Sequence, residues 1–146
     1  MSDARTGLER QVCFSLYAAS RAVTGLYRPA LDRLGLTYPQ YVAMLVVWHH
    51  GSITVRDLGA ALDLDSGTLS PLLKRLENQG LVRRERGTHD ERTVRVTPTE
   101  KGAELRARVT GLPERLTCAI DLDTDELRQL HQLLERVRAS AGRNSL

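Results

Sequence analysis

Between Thr54 and Val96 the apolar residues change period once, from helical to alternating, and that switch restricts which folds this chain can adopt. Val55, Leu58 and Leu62 form one stripe, and Thr54 with Asp57 three residues on has the chemistry of a helix start. Asp63-Leu-Asp65 supplies a short turn. Leu69, Leu72, Leu73 and Leu76 then recur at i, i+3, i+4 and i+7, and Gly80 stops the pattern. Pro71 has no N–H to donate, so it fits best in a first turn, which predicts a helix start near Gly67 or Thr68. From Leu81 the pattern alternates. Leu81-Val-Arg-Arg-Glu-Arg86, a turn around Gly87-Thr-His-Asp90, and Arg92-Thr-Val-Arg-Val96 predict a charged β-hairpin.

The flanks are helical. Leu8, Val12, Leu16, Ala19 and Val23 recur at spacings of three and four; Gly25 permits a break, and Arg28 to Leu34 predicts a further turn or two before Gly35. Pro39 heads the apolar run Tyr41 to Trp48, which ends before Gly51. The leading proline and a length of about ten residues favour a buried helix over a strand, and the run is far short of the roughly 20 residues that span a bilayer. Thr97-Pro98-Thr99-Glu100 reads as a capping box with proline at the first helical position, opening a helix with Leu105, Val109 and Leu112 that meets Pro113. A last helix is capped by Asp123 with Glu126 in the box position, and its stripe is Leu127, Leu130, Leu133, Leu134 and Val137. The prediction is a mainly α fold with a small β-hairpin wing. Residues 51–102 read as a winged helix-turn-helix, and residues 1–50 and 103–146 mainly as dimerisation helices, all in one domain. The flanking stripes exceed what so small a core consumes, which is why they are read as dimer surfaces.

Composition narrows the chemistry. Residues 1–10 have no apolar core of the secretory type, so a cytoplasmic protein with no membrane partner is expected. Two cysteines, Cys13 and Cys118, cannot build a disulfide framework or a zinc site; they are inert core residues or redox groups. His49 and His50 are adjacent and point to different helix faces, while His89 and His131 lie in separate elements, so no metal or cofactor is expected. No Ser/His/Asp pattern or glycine-rich phosphate loop suggests an enzyme. The formal charge is +3. Seven basic residues between Lys74 and Arg95 face four acidic ones, so this stretch carries the whole net charge. A basic patch on a neutral body suits a polyanion, although a merely solvated face has the same composition.

Inward leucines on the second helix leave Ser66, Thr68, Ser70, Lys74 and Arg75 outside. Short hydroxyls near a helix N-terminus reach phosphates and base edges, and Lys or Arg a turn later suits backbone oxygens or guanine. On the hairpin, Arg84, His89, Asp90 and Arg92 complete the candidate surface. An arginine on a narrow turn fits a minor groove, with Asp90 the group to hold its guanidinium. Double-stranded DNA is the expected partner. Cys13 needs thiolate character to attack a peroxide, and tyrosine hydroxyls stabilise a thiolate by donating hydrogen bonds. All four tyrosines (17, 27, 38 and 41) fall in the first 41 residues, with Tyr17 one turn beyond Cys13. Read alone, a helical cysteine such as Cys13 is far more often a small buried hydrophobe than a reactive thiol. Cys118, between Pro113 and Asp121-Leu-Asp123, fits either a packed residue near a helix bend or a mobile thiol.

Asp65-Ser-Gly-Thr-Leu-Ser-Pro-Leu-Leu-Lys-Arg-Leu-Glu77, Gly80-Leu-Val82, Asp90-Glu-Arg92 and Thr97-Pro-Thr-Glu-Lys-Gly102 resemble the MarR family of dimeric winged-helix repressors. Cys13-Phe-Ser-Leu-Tyr17 and Leu36-Thr-Tyr-Pro-Gln-Tyr41 narrow the resemblance to the organic hydroperoxide resistance regulators, with Ser15 where alanine is expected. The resemblance implies a homodimer on operator DNA, with organic hydroperoxides as effectors. Cys13 is then the peroxide sensor, Tyr27 and Tyr38 arrive from the partner subunit to hold it, and Cys118 matches the second cysteine of the two-cysteine subgroup. On this reading the disulfide joins Cys13 to Cys118 of the other subunit. Two rivals stand beside it. One is a repressor relieved by a small phenolic or lipid ligand, with Cys13 inert. The other is a thiol peroxidase turning over through both cysteines, which lacks a thioredoxin-like pattern and leaves the basic wing unexplained.

Overall fold

The computed structural model describes residues 11–87, 89–90 and 92–144. Leu8 of the first predicted stripe lies outside them. The chain divides into two compact units, one ending at Leu112 and the other starting at Pro113.

In the first unit, α1 (Val12–Asp32) is one continuous helix. The break that Gly25 permits does not occur, and Pro29 lies inside the helix. In α4 (Ser66–Asn78) Pro71 likewise lies beyond the first turn, so the helix starts earlier than Gly67 or Thr68, capped by Asp65. The two departures share a cause. A proline ring presses on the carbonyl four residues back, and in both helices that residue is glycine, Gly25 or Gly67, whose peptide tilts most readily. The Gly-x-x-x-Pro spacing therefore carries a proline through a helix that either residue alone would argue against.

Helix α2 (Tyr38–His50) is the buried helix predicted from its apolar run. Thr37 and Gln40 form a reciprocal capping box at its start, a signal the sequence reading passed over. Strand β1 (Ile53–Thr54), also unforeseen, leads directly into α3 (Val55–Leu62), whose N-cap Thr54 accepts from the Asp57 N–H. After α3, Asp63 adopts a left-handed turn conformation (φ 55°) and α4 follows. Leu69, Leu72, Leu73 and Leu76 are buried as their spacing predicts. At the end of α4 the Leu81 N–H reaches the Leu76 carbonyl and the Gly80 N–H reaches that of Glu77, a Schellman closure around Gly80.

The hairpin pairs β2 (Val82–Arg86) with β3 (Val94–Pro98), and β1 adds to the free side of β3, giving the order β1-β3-β2. The second strand lies two residues later than expected, because Thr93 belongs to the turn instead: Gly87 donates to the Thr93 carbonyl and Thr93 to that of Asp90. Pro98 consequently ends a strand opposite Val82 rather than opening a helix. The cap of α5 (Glu100–Val109) is Thr99, whose hydroxyl accepts from the Gly102 N–H and donates to the Gly80 carbonyl. Trp48 of α2 donates its indole N–H to the Gly102 carbonyl at 2.8 Å, joining α2 to α5 inside the core.

Helix α6 (Leu112–Ala119) begins after Gly111, which has φ 83°, so Leu112 opens this helix rather than closing α5. In the second unit α7 (Thr124–Arg143) has the predicted capping box of Asp123 and Glu126. Leu130, Leu133, Leu134 and Val137 of its stripe are exposed.

Candidate functional site

Every polar residue expected on the outer face of α4 is there: Ser66, Thr68, Ser70, Lys74 and Arg75 are all exposed. The helix start is fixed by Asp65, whose Oδ1 accepts from the Thr68 N–H at 2.8 Å. Hydrogen bonding from Thr68 holds the Asp65 carboxyl below the usual carboxylate range, so it stays ionised as a cap at neutral pH. A groove of about 1010 Å³ runs between this helix start and the wing. Ser66 of α4, Arg84 of β2, and Asp90 and Arg92 of the turn line it, together with Arg56 and Asp57 of α3. Arg56 was not foreseen; its signal was its place among the outward positions of the first short helix.

At the wing tip His89, Asp90 and Arg92 are exposed. Asp90 does not act as anticipated on the arginine side chain. Its Oδ1 accepts from the Arg92 backbone N–H at 2.9 Å, so it shapes the turn that presents Arg92. Arg84 is held more tightly, with its Nε 2.6 Å from Glu77 Oε2 and an Nη 3.4 Å from Oε1. Arg95 reaches back to Ser52, donating to its hydroxyl at 2.9 Å and its carbonyl at 3.1 Å, and so ties β3 to the loop before β1.

The cysteines form a separate constellation. Both are free and exposed, so neither is a packed core residue of its own chain. Cys13 is the second residue of α1, with exposed Tyr17 one turn on and the Arg21 guanidinium 5.6 Å from the Tyr17 ring centroid. Tyr27 stands fourteen residues further along the same helix, about 21 Å at 1.5 Å per residue. It packs on Tyr38 with centroids 5.0 Å apart and on buried Tyr41 at 5.5 Å. The fold thus gathers Tyr27 and Tyr38, adds Tyr41, and leaves all three far from Cys13 of their own chain. Burial first, then the neighbouring Tyr38, pushes the Tyr27 phenol above its usual value of 10, which keeps it a hydrogen-bond donor at neutral pH. Cys118 lies in the last turn of α6.

Two short helices joined by a tight turn, the second with a polar N-terminal face, beside a basic hairpin, define a winged helix-turn-helix DNA-binding transcriptional regulator. Comparison with known proteins agrees. The family described as transcriptional regulator SarA/Rot matches residues 25–109. The organic hydroperoxide resistance transcriptional regulator of Bacillus subtilis (strain 168) is 46% identical over 127 residues, covering 87% of this chain and 86% of that one. Reduced AbfR bound to DNA, from a protein of Staphylococcus epidermidis, is 31% identical with a TM-score of 0.79 over 98% of each chain. Its disulfide form is 34% identical with a TM-score of 0.61, over 93% of this chain and 90% of that one. A mutant MarR from E. coli complexed with operator DNA is 28% identical with a TM-score of 0.73, over 90% and 94% of the two chains. The chain belongs to the MarR family of winged-helix transcriptional regulators, in its organic hydroperoxide resistance group.

Proposed function

We propose that the protein is a homodimeric, cytoplasmic repressor that releases operator DNA when an organic hydroperoxide oxidises Cys13. The observation that carries this reading is the separation of Cys13 from Tyr27 and Tyr38. An exposed thiol lies at one end of α1 and the tyrosine donors at the other, some 21 Å apart, so only a second copy can bring them together. Exposed apolar residues support such a dimer: Val12, Val23 and Leu26 on one face of α1, and the leucine stripe of α7. The relative AbfR has both a reduced DNA-bound form and a disulfide form.

In the proposed cycle the Cys13 thiolate attacks the distal peroxide oxygen. The O–O bond breaks, an alkoxide leaves and takes up a proton as alcohol, and Cys13 becomes a sulfenic acid. Cys118 of the partner subunit then attacks that sulfur, expelling water and forming a disulfide. Two such crosslinks pull on the helices that carry the reading heads, and half-sites about one DNA turn apart tolerate little change in spacing. Ser66, Thr68, Ser70, Lys74 and Arg75 face the major groove, while His89 and Arg92 form the wing contact on the turn that Asp90 shapes.

The test is the Cys13→Ser variant. It keeps the size of the thiol but cannot form a sulfenic acid, so it is expected to bind DNA like the reduced protein and to stay bound under cumene hydroperoxide. Release at the wild-type peroxide dose would remove Cys13 as the sensor.

A further inference from the structure

The last turn of helix α4 carries an acidic residue, Glu77, one position before the helix ends at Asn78. A carboxylate there meets the negative end of the helix dipole, and on a surface for a polyanion it also repels phosphate. One contact offsets both effects. Arg84 stands opposite Val96 in the hairpin, and Val96 is fully buried, so the arginine stem lies on the core-facing side of the wing. From there its guanidinium takes both oxygens of Glu77, and each side chain is only about a third exposed, at 32% and 34%. Arg83, the preceding residue, behaves differently. It points to the other face and pairs with Glu85 of its own strand, with both side chains about 60% exposed.

We propose that the Glu77–Arg84 pair fixes the wing against the reading helix, making Arg84 a positioning residue that acts through Glu77 rather than a phosphate contact. Glu77 then serves specificity. It withholds one groove-lining cation per protomer from DNA backbone of any sequence, and it sets where Arg92 enters. This rests on the DNA-binding reading above.

The experiment measures affinity against salt for an operator duplex, selected by the wild-type protein from a random pool, and for a scrambled duplex of equal composition. Each phosphate contact contributes about 0.9 to the log–log slope, so a residue contributed by both protomers is worth about 1.8. Arg84→Gln is expected to leave the slope unchanged while discrimination between the duplexes falls about fivefold, the combined worth of two partly exposed ion pairs. Glu77→Gln frees the guanidinium, so the slope should steepen by up to about 1.8 and the scrambled duplex should bind more tightly. The exchanged pair Glu77→Arg with Arg84→Glu should recover discrimination that either single change loses. A slope that drops by about 1.8 in Arg84→Gln and stays fixed in Glu77→Gln would make Arg84 a phosphate contact and overturn the proposal alone. A wild-type protein that selects no duplex would overturn the DNA reading with it.

Discussion

Replacing Gly102 with alanine tests how the wing is anchored to the rest of its unit. Gly102 is buried in the first turn of α5, and a Cβ built there falls inside the contact distance of the Leu81 carbonyl oxygen and 3.0 Å from its carbon. These are backbone atoms, so no side chain can rotate away; α5 must shift by an ångström or more. That shift strains two hydrogen bonds: Trp48 Nε1 to the Gly102 carbonyl at 2.8 Å, and the Thr99 N–H to the Leu81 carbonyl at 3.1 Å. At about 1 kcal/mol each, plus about 1 kcal/mol or more for disturbed packing of Leu105 and Val109, the loss comes to roughly 3 kcal/mol. For a unit of about 100 residues this lowers the melting temperature by roughly 10–20 °C. Trp48 is the only tryptophan, so its emission reports the same contact locally while circular dichroism follows the melt. Gly142→Ala, at a position with nothing within 4 Å, is the matched control. A Gly102→Ala protein that melts within about 2 °C of wild type with unchanged emission would show that the close approach does not anchor α5.

Arg92→Ala should weaken operator binding strongly and flatten the salt slope by up to about 1.8 for a dimer, with the dimer intact by sedimentation; unaltered binding would take the wing tip out of recognition. Peroxide should convert the protein to a band of twice the monomer mass on a non-reducing gel, reversible by dithiothreitol and absent in Cys118→Ser. A band that persists in that variant would mean Cys13 pairs with its symmetry mate. Leu133 is 54% exposed, and covering that exposed part in a dimer contributes about 1 kcal/mol per protomer, so Leu133→Asp should raise the dimer dissociation constant at least about 30-fold. An unchanged constant in sedimentation equilibrium would move the dimer face off α7.

Much of this architecture is local information. The leucine spacing of α4 assigns its buried and exposed faces without reference to the rest of the chain, because a helix repeats every 3.6 residues wherever it packs. Asp123 with Glu126 caps α7 as written, since a capping box uses only atoms within one turn. The alternation after Leu81 likewise announces the hairpin. Where local signals competed, the sequence alone could not decide. Thr97-Pro98-Thr99-Glu100 reads as one helix start capped by Thr97, and the cap moved to Thr99 because Pro98 pairs with Val82 and the Thr99 hydroxyl reaches Gly80.

What tertiary structure alone decided are the contacts between distant segments. Strand β1 is two residues long and has no periodicity to detect; it exists because β3 offers it a free edge. The union of Tyr27 with Tyr38 and Tyr41 depends on how α2 packs on α1, which residue types do not encode. Glu77 and Arg84 read as two ordinary surface charges until the hairpin folds back along α4 and makes them partners. Periodicity and capping are set by neighbours a turn away and survive in the sequence, whereas pairing across the fold depends on loop closure and packing, whose free energy is shared over many residues and is written in no single motif.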